Sequence, residues 1–118
     1  MALNDSCVLC LEIMDWREIR IDGVARIDRV VGIFEITLAG KLPFVSFKIK
    51  VTEGAQGDFV AISNVWVKDQ DGFAHGEAGL GPSLEKALED CLTRFLAETK
   101  SRKELRNEDF VWKTFEEF

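Results

Sequence analysis

The chain has no tyrosine, one histidine, two prolines and three cysteines, and each shortage narrows what it can do. With His75 as the sole imidazole, any acid/base mechanism centred on imidazole would have to use that one residue. Cys7, Cys10 and Cys91 are an odd set and too few for a disulfide framework, which fits a reducing compartment. Charges interrupt every apolar run short of the roughly 18 residues that mark a spanning helix, so no membrane segment is expected. Met1-Ala2-Leu3-Asn4-Asp5 also lacks the basic start of a secretory signal. The expected location is the cytoplasm.

What the chain does have is an acidic second half. Residues 1–52 carry seven Lys or Arg against seven Asp or Glu, and residues 53–118 carry eight against fourteen, so the net charge of -6 falls wholly in the second part. Such a surface repels phosphate backbones and suits a basic protein partner. With 118 residues, 47% of them apolar, and no Pro/Ser-rich linker or repeat, the whole of 1–118 reads as a single domain with one core.

Periodicity gives the elements. Leu84, Ala87, Leu88, Cys91, Leu92, Phe95 and Leu96 recur at the 3.6-residue spacing of an amphipathic helix. Pro82 and Ser83 mark its start, with Ser83 as N-cap and Glu85 in the first turn, and it runs to about Lys100. Ahead of it, Ile19–Ile27 reads as a hairpin about Asp22-Gly23. A strand follows at about Val30–Ala39 with Val30, Phe34, Ile36 and Leu38 on one face. Phe44–Glu53 alternates with Val45, Phe47, Ile49 and Val51 inward, and Phe59–Lys68 is apolar on both faces. Cys7–Met14 is strand or short helix, with strand preferred. The connections are short, so an antiparallel meander leading into the helix is the expected topology. Two apolar sheet faces then stand against one helix. The second, with Val31, Ile33, Val60, Ile62 and Trp66, needs another cover, either the aromatic segment Phe110–Phe118 or a second copy of the chain.

Each candidate chemistry has a plainer structural reading. Gly76-Glu77-Ala78-Gly79-Leu80-Gly81 feeds a helix N-terminus, where free N–H groups bind anions. It lacks the Gly-Lys-Ser/Thr ending and the following strand of a nucleotide site, so it reads as a bend. Cys7-Val8-Leu9-Cys10 has metal spacing but no second pair, and in a strand its thiols face opposite sides, so both read as core. His75 lies near Asp69, Asp71 and Glu77, yet no nucleophile is free, because Ser83 is needed as a cap. Asp69-Gln70-Asp71-Gly72 begins like a calcium loop without its twelfth-position glutamate, and reads as a turn. Arg17, Arg20, Arg26 and Arg29, with Lys48 and Lys50, form a basic stripe, but Asp15, Glu18, Asp22 and Asp28 interleave with it, so a salt-bridged surface is expected.

Three strands followed by Gly79-x-Gly81-x-Ser83 and a helix bearing Ala87 resemble the second half of a double-stranded RNA-binding domain over roughly 55 residues. The likeness is one of shape. That family sets adjacent lysines at the helix start, where this chain has Leu84 and Glu85 with only Lys86 nearby, so RNA binding is not carried over. The fold expected is α+β: an antiparallel four- to five-stranded meander sheet packed on one face by a single long helix, plus an aromatic C-terminal segment. The function expected is a small acidic non-enzymatic protein-binding or inhibitory module, of the immunity-like or mobile-element inhibitor type, forming a homodimer. Its candidate partner-binding residues are Glu85, Glu89, Asp90, Trp66, Trp112, Phe115 and Phe118. No residue is assigned a catalytic, cofactor or metal role. The alternatives are a nucleic-acid-binding domain using the arginine-bearing sheet and a small enzyme around His75 and Asp71.

Overall fold

The alternation of Ser46–Glu53 organises the molecule: Phe47, Ile49 and Val51 are buried and their neighbours are only half-buried. In the computed structural model, which describes residues 15–102, 104–114, 117 and 118, seven strands and one long helix follow in the order β1 (Arg29–Thr37), β2 (Ser46–Glu53), β3 (Phe59–Ser63), β4 (Val65–Lys68), β5 (Ala74–His75), β6 (Ala78–Gly81), α1 (Leu84–Lys100) and β7 (Phe110–Trp112). They form an antiparallel four-stranded sheet ordered β1-β2-β3-β6 and an antiparallel three-stranded sheet ordered β5-β4-β7. The chain is therefore α+β, with one helix on one face of the larger sheet. The strand expected at Cys7–Met14 lies outside the described residues.

Helix α1 starts where the sequence predicts. Ser83 is extended, and its hydroxyl accepts the Lys86 N–H at 3.1 Å. The buried line runs Ala87, Cys91, Phe95, Thr99, each four residues apart, with Leu84, Leu88 and Leu92 packed beside it. Leu96, expected in the stripe, is 41% exposed, because the buried line continues through Thr99 and leaves Leu96 beyond its edge.

Two glycines set how close the helix comes. A Cβ at Gly79 would stand 2.2 Å from the Ala87 carbonyl oxygen and 2.3 Å from the Cys91 amide nitrogen. One at Gly81 would stand 2.7 Å from the Ala87 nitrogen. Strand β6 thus lies directly against helix backbone. The last four residues of the segment read as a bend, Ala78–Gly81, form an edge strand whose two glycines let the helix approach. The Leu80 N–H, not used in the ladder to β3, donates to the Asp90 carboxylate at 3.0 Å.

The run Phe59–Lys68 divides at Asn64, which moves the chain from one sheet to the other. The Asn64 side-chain oxygen accepts the Lys48 N–H at 2.9 Å, while its own N–H donates to the Lys48 carbonyl at 2.9 Å. Its carbonyl accepts the Lys113 N–H at 2.7 Å. The ladder partner therefore changes from β2 to β7 at this residue. Beyond it, Trp66 lies on Gly76, where a Cβ would meet the indole nitrogen at 2.2 Å, and the Lys113 ammonium covers the ring at 4.2 Å.

Three further sequence expectations need correction. Asp22-Gly23 does form a turn, closed by the Val24 N–H to the Ile21 carbonyl, but no ladder flanks it. Ile21 and Val24 stay exposed, without an opposing apolar surface. The segment is held instead by Glu53, only 7% exposed, which receives Arg17 at 2.5 Å and Arg29 at 3.1 Å. Second, a bulge between Val30 and Gly32 reverses the faces there: Val31 packs on the core and Val30 turns outward. Third, Val45 is 72% exposed, because β2 begins after it. Positive φ angles at Gly40 and Lys41 turn the preceding loop, and Phe44 takes the inner place. The Phe44 ring packs edge-on against Trp112 at 4.9 Å, Phe110 at 4.8 Å and Phe47 at 6.4 Å, and Phe47 meets Phe95 at 4.6 Å.

Two outcomes follow from this packing. Gly79→Val drives a side chain into helix backbone and is expected to cost about 3 kcal/mol in urea unfolding; unchanged stability would mean that α1 is free to move off β6. Phe110→Ala empties the joint between the two sheets and is expected to cost about 3–5 kcal/mol by the same measurement. Deletion of residues 107–118, which removes β7 as well, is expected to lower stability further, read as an earlier thermal unfolding transition.

Candidate protein-binding surface

The face of the larger sheet opposite α1 is built in cross-strand rows. Strand register places Val30, Thr52, Val60 and Leu80 side by side across all four strands, and Ile33, Lys50, Ile62 and Ala78 in the next row. At strand spacings of about 4.8 Å each row is roughly 15 Å wide. The ends of the first row are open, Val30 being 55% and Leu80 61% exposed, and Ile33 in the second is 43% exposed. A cleft of about 280 Å³ adjoins the first row, lined by Thr52 and Val60 and by residues of the 26–28 segment and the 54–58 turn. This surface combines apolar side chains with threonine and lysine.

Phe118 already uses part of it. The residue is 9% exposed, its ring lies 5.2 Å from the Lys50 ammonium, and that ammonium donates to the Phe118 carbonyl. The aromatic segment therefore divides. Phe110 and Trp112 enter the smaller sheet beside β4, Phe118 docks on the second face of the larger sheet, and Phe115 lies outside the described residues.

The residues singled out in the sequence are not one site. Glu85 and Glu89 are exposed on α1, with Glu89 3.5 Å from Lys86. Asp90 is engaged by the Leu80 N–H and by Arg94 at 3.1 Å, and its carboxyl is held below the usual range chiefly by that backbone bond. Trp66 and Trp112 point to opposite faces of the smaller sheet, since Trp66 pairs with Val111 and Trp112 with Val65. Sequence reasoning missed Val30 and Leu80. Register alone aligns them, and neither β6 nor the Val31 bulge carries a strong local signal.

The basic stripe is engaged within the chain. Arg17 meets Asp15 and Glu53, Arg29 meets Glu53, Arg26 meets Asp28 and Lys48 meets Glu35. Arg20 donates to the carbonyls of Arg17 and Ile19. His75 pairs with Asp69 at 2.6 Å, not with Asp71. Asp69 also accepts the N–H groups of Asp71 and Phe73, and these bonds, the histidine's first, hold its carboxyl below the usual range. The arrangement closes the β4–β5 turn, with Gly72 at φ 89° supplying the left-handed residue. Among the described residues no group of three or more potential metal ligands converges, and no helix is long and apolar enough to cross a membrane. Cys7 and Cys10 lie outside the described residues.

Cys91 is fully buried beneath β6, with its thiol 3.6 Å from the Glu77 carbonyl. Burial is the main cause that pushes this thiol up to about 11 from an ordinary 9.0. Since the folded value lies above the ordinary one, the thiol's contribution is whole below pH 9.0 and is lost as pH rises through about 11. Urea midpoints measured across that window should fall, and Cys91→Ala should flatten the fall. An unchanged slope in the variant would remove Cys91 as its source. Comparison of the chain with protein-family models, with curated proteins and with solved structures finds no match.

Proposed function

We propose that this chain is a small non-enzymatic protein-binding module of the inhibitory type, acting in the cytoplasm through the outer face of its larger sheet. The observation that carries this reading is the Val30–Thr52–Val60–Leu80 row, whose exposed apolar ends span all four strands beside an open cleft. Exposed apolar groups aligned on a rigid sheet lose water on contact, and they supply affinity without ordering a loop. The acidic back of α1, with Glu85 and Glu89, favours approach of a basic partner and acts on the association rate. In the absence of another protein, a second copy occupies the same row and gives a homodimer.

The nucleic-acid alternative is less well supported, because its arginines are already paired with carboxylates or backbone carbonyls. A phosphate would have to displace those partners. Capture from the native cell extract, followed by mass spectrometry, compares the intact protein with Val30→Asp/Leu80→Asp and with Glu85→Lys/Glu89→Lys. The row variant is expected to lose the partner and the helix variant to recover less of it. Identical recovery by the intact protein and the row variant overturns the proposal. In parallel, sedimentation equilibrium should show self-association that the row variant abolishes, and a labelled RNA duplex at low salt should show no binding. Duplex binding that weakens steeply with salt would favour the alternative.

A further inference from the structure

Residues 15–28 lie against the end of the larger sheet without entering it. None of them is buried, none packs on the core cluster, and their main-chain hydrogen bonds close within the segment: Glu18 to Asp15, Ile19 to Trp16 and Val24 to Ile21. Among the described residues, a single ion pair joins this strap to the rest of the chain, from Arg17 to the Glu53 Oε2 at 2.5 Å. The Glu53 Oε1 is taken by Arg29, already part of β1. The two guanidiniums therefore use different oxygens. When Arg17 leaves, Glu53 keeps a cationic partner and turns its other oxygen to water, so no charge is left buried and unpaired.

The fastening end is assembled in advance. Asp15 caps the short turn Trp16–Glu18 by accepting the Arg17 N–H at 3.0 Å, and the same carboxylate holds the Arg17 guanidinium at 3.0 and 3.1 Å. That guanidinium also lies 4.8 Å from the Trp16 ring. These contacts all lie within the strap and travel with it. Further along, Arg26, Ile27 and Asp28 make one wall of the cleft whose other wall is Thr52, Val60 and the 54–58 turn. Among the described residues no hydrogen bond or ion pair crosses this cleft: Arg26 is spent on Asp28, and the Gly54 N–H on the Asp58 carbonyl.

We propose that residues 15–28 form a strap latched by the Arg17–Glu53 pair, and that release of this latch lets the strap swing as a unit from the sheet end and widens the cleft. A segment with no buried side chain opens at a small fraction of the cost of global unfolding, so the strap moves while the sheet stays folded. Its pivot is the start of β1, where Arg29 stays opposite Glu53 in the ladder. The device is separate from the protein-binding reading and does not depend on what the outer face contacts.

Trypsin reports the strap, because Arg20 and Arg26 are exposed within it while Lys48 and Lys50 lie in β2. Cleavage passes through the open form and follows its population, so Arg17→Ala is expected to be cut after Arg20 and Arg26 roughly tenfold faster than the intact protein. Cleavage after Lys48 and Lys50 should not change. Glu53→Gln should show the same pattern, and Arg17→Lys, which keeps the charge, a smaller rise. Should Glu53→Gln fail to fold, Arg17→Ala decides, since it leaves β2 untouched. Unchanged cleavage after Arg20 and Arg26 in Arg17→Ala overturns the latch. An equal rise after Lys48 and Lys50 overturns it too, because the pair would then hold the sheet and not the strap. The cleft is read separately, through a thiol placed in its wall by Val60→Cys. Alkylation of that thiol by N-ethylmaleimide, followed by peptide mass spectrometry, should quicken about threefold when Arg17→Ala is added. An unchanged rate there overturns the widening of the cleft.

Discussion

The architecture turns on the absence of side chains at Gly79 and Gly81. Helix packing on a sheet ordinarily leaves a layer of side chains between the two backbones, about 10 Å from axis to sheet. Here the layer is missing over β6, and the backbone of α1 around Ala87 and Cys91 comes down onto the strand. That contact fixes the height and phase of the helix. Once Ala87 and Cys91 are seated, Phe95 falls over Phe47, and the aromatic chain through Phe44 reaches Phe110 and the smaller sheet. The two sheets are therefore joined through the core as well as through the Asn64 junction.

Much of this is legible in the sequence, because periodic burial leaves a periodic pattern. Helix α1, its Ser83 cap and the alternation of β2 follow from residue spacing alone, since one side of each faces the core. The rest depends on relations that spacing does not encode. Burial alternates straight through the junction, from Ala61 and Ser63 to Val65 and Val67, although an asparagine side chain replaces a backbone acceptor at position 64. The bulge at Val31 exchanges inner and outer residues without a glycine or proline at the bulged position, and it hides Val30 from a reading by parity. Strand β6 is composed of residues with low strand propensity, and its glycines are selected by the helix that covers it. The Asp22-Gly23 turn has the local chemistry of a hairpin, but its flanks find no buried surface, so the turn forms without strands.

The candidate surface is harder still to see in one dimension. Its members come from four strands separated by as many as 50 positions, and they become neighbours only through register. Charge gives a better guide. The interleaving of acids and bases in the first half is realised as pairs, while Glu53, nearly buried between two arginines, holds the segment after Asp15 to the end of the sheet. Those two arginines are engaged in holding the fold.

The Asp90 carboxylate has a consequence for behaviour at high concentration. An outermost strand with a free amide is a template onto which another chain can grow, and repeated growth of that sort leads to fibrils. By taking the Leu80 amide, a helix residue closes that hydrogen-bonding position to a neighbouring molecule, and it does so beside an exposed leucine that would otherwise favour the addition. A residue whose charge looks like mere solubilising surface thus also blocks one edge hydrogen-bonding position of its own sheet.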